Sequence, residues 1–238
     1  MFYFKALKVV PPTEKVTFNK VVRGFTLAEV LVTLGIIGTV SAMTVPTLMQ
    51  NYQRKSYVTQ LHKVYNEMSQ AAIQFQTDRN AVNLKEAGLN SQTAAEEFIE
   101  KYFKIVQKCG NTQTPCFEEK SNYKKLSGNQ LTAWTTPMTH YVIASGASIG
   151  VRYNSSNEMI CEIYVDVNGK KGPNIVGRDL FPIFLYNNGL IDDANEQLNG
   201  PLSKEERDAS FNICQNNNGN TWHGCFGKIL NDNWEMTY

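Results

Sequence analysis

A single carboxylate, Glu29, stands at the head of an uncharged apolar run from Val30 to Met49, five positions after Gly24 and four after Phe25. About 20 such residues in a helix match the hydrocarbon thickness of a bilayer. Carrying an acid into that medium costs roughly 2.5 to 3.5 kcal/mol on insertion scales, so an intramembrane glutamate calls for a partner. A chain cut between Gly24 and Phe25 would supply one, because the new amine lies a few residues from the carboxylate. Two plainer readings compete. Cleavage after Val40-Ser41-Ala42 would be an ordinary secretory signal, and an uncut anchor would leave Glu29 near Arg23 at the interface. Neither gives Glu29 a role.

The other residues able to do chemistry are scattered. His62, His140 and His223 lie far apart, and no nucleophile motif accompanies them. The stretch from Ser145-Gly146 to Gly150 lacks the lysine of a phosphate-binding loop. An enzyme is therefore not expected, and no cofactor is implied. The five cysteines show no CxxC and no nearby histidine pair, which argues against zinc. Cys109 with Cys116 and Cys214 with Cys225 are the short spacings, and each disulfide would contribute about 2 to 3 kcal/mol. Cys161 is left over in MICEIYVDV, where Met159, Cys161, Ile163, Val165 and Val167 alternate onto one face, so it reads as a buried hydrophobe. Asp166 and Asn168 repeat the first steps of a calcium loop, but the pattern breaks at Lys170 and Gly177, so they are weak calcium candidates beside a strand-ending turn.

The stretch Arg23-Gly24, then Phe25-Thr26-Leu27, with Glu29 and an apolar run behind it, resembles the prepilin cleavage and methylation motif of type IV pilins and type II secretion pseudopilins. The resemblance implies that a membrane peptidase cuts after Gly24 and methylates Phe25, and that Glu29 meets the amine of a neighbouring subunit in the filament. Pro46 falls inside the helix where many type IV pilins have a proline, a site of weakened helix together with Gly35 and Gly38. Asp166 to Asn174, DVNGKKGPN, also resembles a segment of many pseudopilin and minor-pilin domains. The segment up to Gly24 is longer than the commonest leaders of that family, which fits a long leader or a translation start after Met1.

The elements that must position these residues follow from periodicity. Val58, Leu61, Tyr65, Met68, Ala72 and Phe75 form a helical stripe continuing the apolar segment. Thr93-Ala94-Ala95-Glu96 reads as a capping box ahead of a second helix carrying Phe98, Ile99, Tyr102, Phe103 and Val106. Residues 117–128 read as polar surface connection. From Thr139, the runs THYVIAS, SIGVRYN, MICEIYVDV and IFLYN read as strands of an antiparallel sheet. A capped segment Ser203 to Gln215 follows, and GKIL, NDN and WEMTY read as a final hairpin. The expected fold is α+β and pilin-like: a long N-terminal helix, membrane-spanning in its first half, packed on an antiparallel β-sheet, with disulfide-closed loops. Its expected division is a leader at 1–24, a transmembrane and filament-core helix at 25–49, an amphipathic continuation at 50–80, and a folded domain at 81–238.

Charge sets the orientation and removes one partner class. The chain carries 23 Lys and Arg against 22 Asp and Glu, yet residues 1–24 hold Lys5, Lys8, Lys15, Lys20 and Arg23 against only Glu14, so the remainder is slightly acidic. Basic flanks stay in the cytoplasm, which places the folded part on the far side of a bacterial inner membrane, periplasmic or, in a pilus, extracellular. Nucleic acid is not an expected partner, since Lys120, Lys124, Lys125 and Tyr123 form only a local patch. The resemblance implies other pilin or pseudopilin subunits, the prepilin peptidase and an inner-membrane assembly platform as partners. The alternative from another class is a membrane-tethered periplasmic adhesin or binding domain that does not polymerise.

Overall fold

The structure is a computed structural model that describes residues 24–194, 200–216 and 222–238. The expected leader, apart from Gly24, lies outside the described residues. The chain divides into two units, one ending at Thr47 and the other running from Leu48 to Tyr238. Helix α1 (Leu27–Asp78) contributes to both.

In the first unit every described side chain is exposed. The polar ones are satisfied within the helix: the hydroxyls of Thr33, Thr39 and Thr44 donate to the carbonyls of Val30, Ile36 and Val40 at 3.0, 2.9 and 3.0 Å. Such back-bonding lets threonine sit in an apolar medium without an orphan donor. Pro46 is inside α1 and has no N–H for the Ala42 carbonyl.

The second unit contains its own core. The later part of α1 buries Val58, Leu61, Val64, Met68, Ala71, Ala72 and Phe75, a face of steps three and four. Tyr65 is only partly buried and meets Trp234 edge-on at 4.9 Å, so Val64 takes the core position that the periodicity assigned to Tyr65. Helix α2 (Gln92–Tyr102) adds Phe98, whose ring meets that of Phe75 edge-on at 5.3 Å. Its cap is Ser91, whose hydroxyl accepts the Ala94 N–H at 3.2 Å, so the box expected at Thr93 and Glu96 does not start this helix. Glu96 instead accepts the Thr139 hydroxyl at 2.7 Å.

Six strands, β1 (Ile105–Gly110), β2 (Thr139–Ile143), β3 (Ser148–Ser156), β4 (Met159–Asp166), β5 (Leu180–Tyr186) and β6 (Ile191–Asp192), form an antiparallel sheet in chain order. β1 takes the place of the expected end of α2. Phe103 is extended, and Val106 lies exposed on a strand rather than on a helical stripe.

One face of the sheet, with Ile149, Val151, Ile163, Val165 and Ile183, packs on α1 and α2. The opposite face is also covered: Phe117, Tyr123, Leu131 and Trp222 join Met138, Tyr164 and Leu180 in a second core. Residues 117–128, expected as surface connection, thus supply buried aromatics. This double covering explains why β4 and β5 are buried along their whole lengths, as central strands between two layers are.

Disulfides join Cys109 to Cys116 and Cys214 to Cys225, and Cys161 is a buried free thiol. After α3 (Lys204–Asn216) the chain forms α4 (Cys225–Asn231), in place of the expected final hairpin. A distant carboxylate accounts for that helix. Asp193 accepts the N–H groups of Gly224 and Gly227 at 2.9 and 2.7 Å, supplying the cap that Gly224 lacks. Trp234, in a left-handed conformation after α4, stacks on His62 at 3.9 Å.

Candidate functional site

The start of α1 is an N-terminal capping box. Thr26 precedes the helix, and its hydroxyl accepts the Glu29 N–H at 3.2 Å. In return the Glu29 carboxylate accepts the Thr26 N–H at 2.8 Å and the Thr26 hydroxyl at 2.9 Å. Both of these bonds fall on Oε2, so within the described residues Oε1 is without a partner. The carboxylate also stands in the first turn of the helix, where the unpaired N–H groups favour a negative charge. Gly24 and Phe25 precede the helix, and the Phe25 side chain is 87% exposed.

Around this acid the surface is apolar and open. Phe25, Leu27, Leu31, Leu34, Ile36, Ile37, Met43 and Leu48 are all exposed, and 18 residues of α1 in this region average a hydropathy of 1.8 with none buried. A Cβ added at Gly35 or Gly38 would meet nothing within 4 Å, so these glycines answer no contact inside the chain. The first part of α1 is long and apolar enough to cross a membrane.

The other sequence candidates stand apart from this site and from one another. His62 stacks on Trp234. His140 is buried, accepting the Trp134 indole N–H on Nε2 at 3.1 Å, with Nδ1 3.1 Å from the Gly110 carbonyl. That pair of bonds fixes a neutral ring with its proton on Nδ1, and burial pushes the imidazole below its ordinary range. His223 lies 3.7 Å from Asp193 Oδ1. These settings assemble no nucleophile and base.

Asp166 and Asn168 lie in a loop tied by its own hydrogen bonds. Asp166 accepts the Tyr123 hydroxyl at 2.6 Å and the Asn168 N–H at 3.3 Å, and Asn168 donates to the Gly172 carbonyl at 3.1 Å. Asp179 accepts the N–H groups of Asn174 and Ile175 at 2.8 and 2.6 Å. Burial, reinforced at Asp166 by the neighbouring Asp179, raises both carboxyls above the usual range. Among the described residues no group of three or more His, Cys, Asp or Glu is arranged to hold a metal ion. The lysine patch is also reorganised, since Tyr123 is fully buried and Lys125 is 4% exposed.

Sequence reasoning missed Thr26 as the partner of Glu29, although T-x-x-E was available as a signal. It also missed a polar cluster on the outer face of the sheet, where Arg152 grips Glu162 through Nε and Nη2 at 3.1 and 2.7 Å. They stand on consecutive strands, ten positions apart, and their pairing depends on the register of β3 with β4.

A family model described as the prokaryotic N-terminal methylation motif matches residues 19–45, the signature of type IV pilin and pseudopilin prepilin-type proteins. No curated protein and no solved structure matches the chain.

Proposed function

Starting from a chain with a prepilin-type N-terminus and an α+β, pilin-like fold, we propose that it is a structural subunit of a bacterial type IV pilus or type II secretion pseudopilus. The observation that carries this reading is the coincidence of the matched motif with the Thr26–Glu29 box and the uncovered apolar helix behind it. The unprocessed chain is held in the inner membrane with its N-terminus in the cytoplasm and the folded unit in the periplasm. Prepilin peptidase cuts between Gly24 and Phe25 and methylates Phe25. An assembly platform then moves the subunit into the filament.

Glu29 registers the incoming subunit. While the subunit is alone in lipid, the Thr26 N–H and hydroxyl satisfy Oε2 and lower the cost of holding the acid there. Oε1 stays available to a cation, and the amine of a processed neighbour supplies it. Such a desolvated pair fixes register because either partner left alone is costly. The exposed apolar helix forms the filament core, with Pro46, Gly35 and Gly38 as its adaptable stretch, and the disulfide-tied unit faces outward.

Mass measurement on protein taken from its native membrane is expected to find a chain that begins at N-methylated Phe25. Glu29→Ala is expected to leave cleavage and folding intact while lowering the amount in the sheared filament fraction at least several-fold. An N-terminus upstream of Phe25, or normal incorporation of Glu29→Ala, would overturn the reading. A tethered domain that never polymerises would give membrane monomers and no sheared fraction.

A further inference from the structure

The outer face of the sheet holds a cavity of about 170 Å³ on β3, β4 and β5. Its floor is the Arg152–Glu162 pair, adjacent partners across β3 and β4. Glu162 is 8% exposed, and Arg152 reaches from it toward solvent. The Thr135 hydroxyl donates to Glu162 Oε1 at 3.1 Å and is also hydrogen-bonded to the Tyr164 hydroxyl. One wall is aromatic, with the Tyr164 and Trp222 rings 4.4 Å apart.

The cavity's chemistry selects against charged ligands. Arg152 and Glu162, joined at 2.7 Å, cancel within the lining. A bound anion or cation would therefore meet a balanced lining. What stays available are donors and acceptors in close alternation. Arg152 Nη1 and the Asn154 side-chain amide make no hydrogen bond among the described residues. Glu162 Oε2 already accepts both Arg152 N–H groups, so the acceptor capacity left on the carboxylate lies on Oε1, beside the Thr135 hydroxyl. A guanidinium, a carboxylate oxygen and an amide in one cavity are the groups that can satisfy adjacent hydroxyls on one ring. The volume restricts the ligand to one small ring.

We propose that this cavity is a binding site for a neutral polyhydroxylated ring, a single monosaccharide unit, presented by the outward face of the folded unit. None of its lining residues belongs to α1, so the proposal does not rest on the residues assigned to processing and assembly.

The test uses the full processed chain in detergent micelles, titrated separately with glucose, galactose and N-acetylglucosamine, and followed by tryptophan fluorescence and saturation-transfer NMR. At least one sugar is expected to give a saturable response with a Kd of roughly 0.1 to 10 mM, the range of a few hydrogen bonds on a small ligand. Asn154→Ala removes an amide that holds nothing else in place, so it should fold normally and weaken that binding about tenfold. Arg152→Met should abolish it, with thermal unfolding of the same sample as the folding control. Absence of a saturable response to all three sugars would overturn the proposal, as would unchanged affinity in Asn154→Ala. A saturable response to acetate or to methylammonium at the same site would overturn the assignment of a neutral ligand.

Discussion

The two parts of helix α1 obey the same backbone rules and have opposite relations to their surroundings. Before Leu48, Leu31, Leu34 and Ile37 are each about 60% exposed; beyond it, Leu61, Val64 and Met68 have no exposed surface at all. The later part has been given its cover by the sheet and α2. The earlier part carries as much apolar surface and has none. The difference teaches that the sequence of α1 encodes two surroundings: a protein core for one segment and, on the proposed reading, lipid or other subunits for the other. Polar groups follow the same division in part. Those in the early part close onto their own helix, as Thr26 with Glu29 and Thr33 with Val30 do. In the folded unit some do the same, as Thr59 and Thr77 do, and others reach across the chain, as Asp193 does to Gly224.

The comparison breaks most visibly at paired leucines. Leu61→Ala is expected to destabilise the folded unit by about 2 to 5 kcal/mol, because it empties a site among α1, α2 and the sheet. Leu34→Ala should change the unfolding free energy of that unit by less than about 0.5 kcal/mol. Equal losses would mean that the early segment is part of the same core.

The two caps sharpen the contrast at a smaller scale. Ser91→Ala is expected to cost the folded unit about 1 kcal/mol, and Thr93→Ala less than about 0.5 kcal/mol. Thr26→Ala should leave the unfolding of that unit unchanged, since its cap serves the other segment. Urea titrations of the three variants decide it.

The smallest effect is that of acid on His140. Its folded-state proton affinity lies below that of an unfolded histidine, so the unfolded chain takes up more protons as pH falls through about 6.5. The contribution of His140 to stability is therefore complete above that pH and is lost below it, by at most about 0.8 kcal/mol at pH 6. The difference in stability between wild type and His140→Gln should narrow as pH drops from 7.5 to 5.5. A difference independent of pH would show that His140 is not held neutral.

What could be read beforehand depended on the distance over which each feature is specified. The apolar run, the amphipathic continuation, four strands and both short disulfides are written within windows of about ten to twenty residues, and periodicity finds them. The capping rule illustrates its own limits. T-x-x-E occurs at Thr26 and at Thr93; the first is a cap, while at the second Ser91 begins the helix and Glu96 turns to Thr139. Local spacing does not decide between them, because a tertiary partner competes for the carboxylate. Strand β1 was hidden for a similar reason. Phe98, Ile99, Tyr102 and Val106 fit a helix, yet β2 offers Ile105 to Gly110 an edge to pair with. Helix α4 rests on Asp193, more than thirty positions before it, and no local reading supplies that link. Spacing picks out Gly24, Phe25 and Glu29 as candidates, while Thr26, the intramolecular partner of Glu29, is passed over although T-x-x-E stands in the sequence.

The odd cysteine bears on how the chain acquires its covalent links. Thiol exchange proceeds through the thiolate, and full burial pushes the Cys161 thiol up to about 12, leaving roughly one ionised molecule in a hundred thousand at neutral pH. Once β4 is seated between its neighbours, Cys161 withdraws from oxidation chemistry, and the four remaining cysteines have only one another to choose from. Packing alone thus keeps the odd thiol out of exchange with the two disulfides of the folded chain.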